Sequence, residues 1–152
     1  MSPDTLPIRT VVTNRRARFE YEILDRIEAG IVLSGTEVKS VREGTVSLQE
    51  AYAQERGGEL WLEGCTIAPY TQGNINNHLP TRPRKLLLHR KELRKLIARV
   101  AEKGLTLVPV SIYFKGSRLK VEIAVARGKR LHDKRDTIKK RDTERHLRRG
   151  DE

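Results

Sequence analysis

Val108-Pro109-Val110-Ser111-Ile112-Tyr113-Phe114-Lys115-Gly116-Ser117-Arg118-Leu119-Lys120-Val121-Glu122-Ile123-Ala124-Val125 is the stretch that decides the fold. Val108, Val110, Ile112 and Phe114 occupy every second position, Lys115-Gly116-Ser117 turns, and Leu119, Val121, Ile123 and Val125 alternate again opposite Lys120, Glu122 and Ala124. A period of two on both sides of a glycine turn predicts a β-hairpin with one buried face. Pro109 has no N–H to give a ladder, so it marks an edge or a bulge.

Upstream of the hairpin, Leu93, Leu96, Ile97 and Val100 fall at helical spacing and predict an amphipathic helix over about Arg90–Lys103, stopped by Gly104. The apolar stripe reads as core; the opposite face carries Lys91, Arg94, Lys95 and Arg99, either solvated or tracking phosphates. Thr81-Arg82-Pro83-Arg84-Lys85-Leu86-Leu87-Leu88-His89-Arg90 is a dense basic patch, preceded by a Gly-, Asn- and Pro-rich surface loop at 71–80. Residues 46–55 and 59–64 are strand candidates joined at Gly57-Gly58, a hairpin signal, and 65–70 continue as a strand to Pro69.

Ser34 and Glu37 have capping-box spacing and open a short helix that Gly44 ends. Val38 and Val41 share its inner face while Lys39 and Arg42 point away, which without context reads as a solvated face. Phe19, Tyr21 and Ile23 alternate as in a half-buried strand, with a bulge or bend at Leu24-Asp25; residues 31–33 form a second short strand, and residues 1–7 a loose arm. The total is six or seven short antiparallel strands, one short helix and one longer helix, so the fold class is mainly β. A small closed barrel of the oligonucleotide-binding (OB) type, with helices packed on it, buries such strands and hides their edges. A two-layer sheet-plus-helix domain is the alternative.

The chain has 152 residues and a net charge of +11. Eleven Lys and Arg against six Asp and Glu place +5 of that on residues 127–152 and leave +6 on residues 1–126, so both parts are basic. Residues 1–126 are the barrel domain. Residues 127–152 hold only Leu131, Ile138 and Leu147 as aliphatics, too few for a core, and are expected to be disordered alone. Asp136 with Lys140 and Glu144 with Arg148 are i,i+4 acid-to-base pairs, so the tail is read as helical when surrounded by a polyanion; the plainer reading is a solvated basic tail.

Such charge points to nucleic acid or an anionic membrane surface. No long apolar span and no basic helix with a bulky aromatic face speaks for a membrane. The first thirteen residues lack the apolar region of a secretory signal, and the one cysteine, Cys65, has no internal disulfide partner, so a cytoplasmic location is expected. Metal-dependent catalysis would need converging carboxylates; Glu28, Glu37, Glu43 and Asp133 are available, but none of the four shows paired spacing. With no nucleophile signature and no phosphate loop before a helix either, no catalytic residue, metal site or cofactor is assigned. One Trp, four Tyr and two Phe, several on strand faces expected to be buried, are too few for a single-strand stacking platform. Recognition of a folded RNA by shape and phosphate contacts fits better.

Several strings are more specific. Asn14-Arg15-Arg16-Ala17-Arg18, Glu28-Ala29-Gly30-Ile31, Gly35-Thr36-Glu37-Val38-Lys39-Ser40-Val41-Arg42, Ile67-Ala68-Pro69-Tyr70, Arg84-Lys85-Leu86-Leu87-Leu88-His89 and Gly128-Lys129-Arg130-Leu131-His132-Asp133-Lys134-Arg135 occur in this order. Together they resemble the SmpB, or SsrA-binding protein, family over residues 11–138.

The resemblance implies a barrel that binds the tRNA-like part of transfer-messenger RNA and enters stalled ribosomes without catalysing a bond change. It implies that Asn14, Arg16, Glu28, Arg42 and Leu87 contact the RNA elbow, with His89 at the edge of that surface. Lys39, Arg84 and Lys85 stand in the matched strings and complete the expected RNA-binding set. For the tail it implies a pivot at Gly128, phosphate contacts from Lys129 and Arg130, and sensing of the empty messenger channel near the decoding centre by His132, Asp133, Lys134 and Arg135. The implied partners are that RNA and the ribosome, with the protein a monomer when bound. The chain departs from the family's pattern at Phe19, often histidine, and at His89, often asparagine.

Overall fold

In chain order the regular elements are β1 (Ile8–Thr13), α1 (Arg15–Glu20), β2 (Tyr21–Ile31), α2 (Gly35–Arg42), β3 (Val46–Ser47), β4 (Tyr52–Arg56), β5 (Glu59–Glu63), β6 (Thr66–Ile67), β7 (Arg84–Leu87), α3 (Arg90–Lys103), β8 (Thr106–Lys115) and β9 (Arg118–Gly128). They come from a computed structural model that describes residues 6–70 and 77–128. The expectations for the tail beyond Gly128, for 71–76 and for the first five residues lie outside the described part.

The strands are antiparallel, and β8, β4, β5, β7, β2 and β9 follow one another until β9 pairs back onto β8. The sheet is therefore a closed ring, the barrel expected from the alternation, with β1 along the Ser111–Lys115 half of β8. Its interior is filled by Leu60, Leu62, Ile67, Leu86, Ile112, Val121, Ile123 and Val125, with Val41 of α2 and Leu93 and Leu96 of α3 packed in. Gly57 and Gly58 have φ of +64° and +80°, the left-handed pair that a two-residue hairpin turn requires, and β4 and β5 pair on either side of them.

Four expectations are corrected. Residues 15–20 form α1, not the start of a strand. The Asn14 side chain caps that helix by accepting from the Ala17 N–H at 3.3 Å, Arg16 pairs with Glu20 at 2.6 Å, and Ala17 is buried against the barrel. A cap and a buried alanine override the alternation of Phe19, Tyr21 and Ile23. Second, β2 does not break at Gly30. Gly30 pairs with Leu87 on one side and Lys120 on the other, and a Cβ there would lie 3.3 Å from the Leu87 Cβ. The glycine is a point of close approach rather than a stop; the bulge expected near Leu24-Asp25 is present, as a register shift between Ile23 and Asp25.

Third, the hairpin that opened the reading buries both faces at one end. Its register shifts between Pro109 and Ser111, so the proline sits at a bulge. Ile112 and Phe114 face the main core, whereas Val108 and Val110 pack with Ala17, Ala124 and Ala126 in a second cluster beneath α1. One extra residue flips the strand's phase, which alternation alone does not reveal. Fourth, the strand candidates at 46–55 and 65–70 are shorter and split, into β3 with β4 and into β6.

The capping box on α2 is present in both halves: Glu37 Oε1 accepts from the Ser34 N–H at 2.9 Å, and Ser34 Oγ accepts from the Glu37 N–H at 3.4 Å. Glu37 is also fully buried and holds two arginines. Arg82 donates to Oε1, and Arg84 Nε donates to Oε2 at 2.7 Å. Arg84, itself fully buried, gives its other nitrogens to the carbonyls of Cys65 at 2.6 Å, Leu79 at 3.3 Å and Pro80 at 3.0 Å. One ion-pair network thus ties α2, β7 and the segment before β7 together.

Candidate nucleic-acid interface

A groove of about 950 Å³ runs between the outer face of β2, the end of β7 and the first half of α3. β2 contributes Asp25 to Glu28 and Gly30, β7 and its exit contribute Leu87 to His89, α3 contributes Glu92, Lys95, Leu96 and Arg99, and β9 contributes Lys120. Arg99 and Asp25, 3.0 Å apart, bridge α3 to β2 across one wall. Leu87 is 49% exposed, an aliphatic left to solvent because it lies on the outer phase of β7 and its register partner Gly30 has no side chain to cover it. His89 stands at the N-cap of α3 but makes no side-chain cap hydrogen bond.

Glu28 is the electrostatic centre of this surface. It lies directly across from Glu122 in the β2–β9 register, a like-charge pair that would repel. Both acids are answered: Arg26 pairs with Glu122 at 3.0 Å, and Glu28 accepts from the Tyr113 hydroxyl and from Lys115 Nζ at 3.5 Å. The Tyr113 hydrogen bond is the main reason the Glu28 carboxyl lies below its ordinary value; partial burial opposes it, and the positive charge of Lys115 and Lys120 adds to it. Tyr113 is held protonated in turn, first by burial and then by the hydrogen bond to Glu28. The result is an ionised carboxylate, held as an acceptor, in a groove of mixed charge.

A second surface is made by α2. Lys39 and Arg42, one helical turn apart, are exposed; Lys39 lies over the Tyr70 ring and Arg42 over the Phe114 ring. Lys85 pairs loosely with Glu59 at 3.7 Å and is Trp61's partner in the β5–β7 ladder. Arg16 is exposed and held by Glu20 and by Glu50 at 2.8 Å.

Two of the expected RNA contacts are buried in the fold. Asn14 is buried, and both Nδ2 hydrogens are committed, to the carbonyls of Leu48 at 3.1 Å and Pro109 at 3.0 Å, so it sets α1 on the barrel. Arg84 is committed to Glu37 and three carbonyls and exposes no surface. A basic patch in sequence does not say which arginine of Arg82, Arg84 and Lys85 turns inward; strand phase decides it. Gly128, the exposed last residue of β9, pairs with Tyr21, while Lys129, Arg130, His132, Asp133, Lys134 and Arg135 lie outside the described residues.

Of the carboxylates weighed as metal ligands, Glu37 is buried in its arginine network and Glu28 is held by Tyr113 and Lys115. Among the described residues no three His, Cys, Asp or Glu side chains gather where they could hold a metal ion. Cys65 is buried, and burial pushes its thiol up to about 11. Among the described residues no helix is long and apolar enough to cross a membrane. Tyr113, Lys115 and Lys120 were not singled out from the sequence. Their one signal was the outward phase of the hairpin, which does not say which outward side chains meet Glu28.

The profile of a family described as SmpB protein matches residues 11–151. The SsrA-binding protein of Desulforudis audaxviator is 54% identical over 144 residues, covering 95% of this chain and 94% of the relative. That of Bradyrhizobium diazoefficiens is 56% identical over 137 residues, covering 90% and 87%. A solved structure described as "tmRNA-SmpB: a journey to the center of the bacterial ribosome" superimposes with a TM-score of 0.67 at 50% identity, covering 84% of this chain and 93% of that one.

Proposed function

The chain belongs to the SmpB family, and from that premise we propose that it binds SsrA, the transfer-messenger RNA, and delivers it to stalled ribosomes for trans-translation. The observation that carries this reading is the groove in which Glu28, Leu87 and His89 meet. A carboxylate repels phosphate, so Glu28 has to accept from a base N–H or a ribose hydroxyl. Leu87 offers an apolar seat for a base or ribose beside it, and Lys95 and Lys120 supply positive charge for the backbone. Such a site recognises a folded, tRNA-like RNA whose unpaired bases are presented in a fixed shape.

The chain acts as an adaptor in the cytoplasm and catalyses no bond change itself. Purified protein incubated with its RNA is expected to leave the RNA intact with and without magnesium; cleavage in either would overturn that. Gly128 is the pivot of the tail. Lys129 and Arg130 hold phosphates, and His132, Asp133, Lys134 and Arg135 probe the vacant messenger channel near the decoding centre. Arg127 and Gly128 end β9, so the part proposed to become helical there is the segment beyond Gly128, because the ribosomal RNA wall supplies the polyanion that its charge needs.

Glu28→Ala tests the groove. The variant is expected to melt with the parent and to bind the tRNA-like RNA more weakly by roughly 1–3 kcal/mol, the value of one lost base contact. Equal affinity in a folded Glu28→Ala protein would remove the groove from the binding site. The lowered titration of the Glu28 carboxyl sets the pH dependence: binding is expected to be kept at neutral pH and to weaken as pH falls through a value below the group's ordinary one.

A further inference from the structure

Arginines whose guanidinium is fixed in this fold nearly all have a carboxylate. Arg16, Arg26, Arg56, Arg82, Arg84, Arg99 and Arg127 each do. Arg9 and Arg42 are the exception among the described residues. Arg9, on β1, is the register partner of Phe114, and its guanidinium carbon lies 5.9 Å from the centre of that ring. Arg42, at the end of α2, brings its own guanidinium carbon to 5.8 Å from the same ring. Arg9 Nη2 also donates to the Arg42 carbonyl at 3.1 Å, covering an end carbonyl of the helix and fixing the two residues to each other. No acidic side chain pairs with either among the described residues.

Two like charges have been gathered on one aromatic ring, at the cost of their repulsion, with nothing in the described chain to neutralise them. A guanidinium held over a ring by its charge spends no N–H donor on that contact, so its donors remain to meet phosphate oxygens. Arg9 has five such donors and commits one nitrogen to the Arg42 carbonyl. Lys39, one turn back on α2 and over Tyr70, extends the row away from Phe114. The ring itself is buried, so it serves as a platform rather than as a surface for bases.

We propose that Arg9 and Arg42, seated together on Phe114, form a clamp for an RNA backbone phosphate, and that Arg9 is an RNA contact of this chain. This rests on the function proposed above and adds a residue to it. The clamp contributes charge and register, not sequence: it positions the RNA on α2 while the groove around Glu28 does the discriminating.

The test is the salt dependence of binding. Affinity of the full-length protein for the tRNA-like RNA is measured from about 50 to 200 mM salt for the parent, Arg9→Ala and Arg9→Lys. Arg9→Ala is expected to weaken binding about fivefold and to reduce the slope of log K against log salt by about 0.7–0.9, one phosphate's worth, with preference over unrelated RNA unchanged. Arg9→Lys keeps the charge and is expected to recover the slope. An unchanged slope for Arg9→Ala, with or without a lower melting temperature, reduces Arg9 to a helix-end and packing residue and overturns the clamp. Failure of the underlying function would look different: the parent itself would show no preference for the tRNA-like RNA.

Discussion

Arg84→Met is expected to destabilise the protein by about 3–5 kcal/mol, the cost of removing one partner from a buried ion pair, and to lower Tm by roughly 10–15 °C. Methionine matches the stem but none of the donors. Glu37 would stay buried with only Arg82 and the Ser34 N–H, and the carbonyls of Cys65, Leu79 and Pro80 would lose their donor. Arg84→Lys should be nearly as harmful, because one ammonium cannot reach Glu37 and carbonyls on two sides at once. Thermal unfolding of the two variants checks this. A variant that melts with the parent yet loses RNA affinity would restore Arg84 to the RNA surface.

The same network sets an acid limit. Burial works to raise the Glu37 carboxyl, but the hydrogen bonds from Arg82, the Ser34 N–H and Arg84 outweigh it and hold the group below its ordinary value of 4.5. A folded value below the unfolded one gives stability that is complete above the unfolded value and is lost as pH falls through the folded one. The barrel therefore keeps this contribution throughout the neutral range.

Deleting residues 129–152 is expected to leave binding of the isolated RNA nearly unchanged and to reduce tagging on stalled ribosomes to background. The segment removed carries ten Lys and Arg against six Asp and Glu, and none of the groove. On the function proposed above, its charge acts where a polyanionic channel is vacant, and a messenger occupying that channel would exclude it by volume and by phosphate repulsion. Asp133→Ala combined with Lys134→Ala and Arg135→Ala should reproduce the defect with the rest of the tail retained. A tagging assay on ribosomes stalled without a stop codon reads both variants. Normal tagging by the deletion would remove the tail from the mechanism.

The barrel was legible because alternation and glycine turns are local signals: the hairpin of β8 and β9, the Gly57-Gly58 turn and the α2 capping box can all be read from short stretches of sequence. α1 was not legible, because its helix depends on Asn14 reaching the carbonyls of Leu48 and Pro109. Of the candidate site, Glu28, Leu87 and His89 were singled out through matched strings, and they line one groove. Tyr113 and Lys115, which hold Glu28, could not be found, since their approach depends on ring closure between β2, β8 and β9. That Asn14 and Arg84 are buried was not legible for the opposite reason: polar residues in a basic motif look exposed until their buried partners are known.

The most direct test of the whole scheme is the RNA the full-length protein carries. Purified from its source at moderate salt, with bound RNA extracted and sequenced, the protein should yield transfer-messenger RNA far above its share of cellular RNA. Recovery of RNAs in proportion to their abundance would mean that the groove around Glu28 recognises charge alone, and would contradict selective capture of a tRNA-like fold.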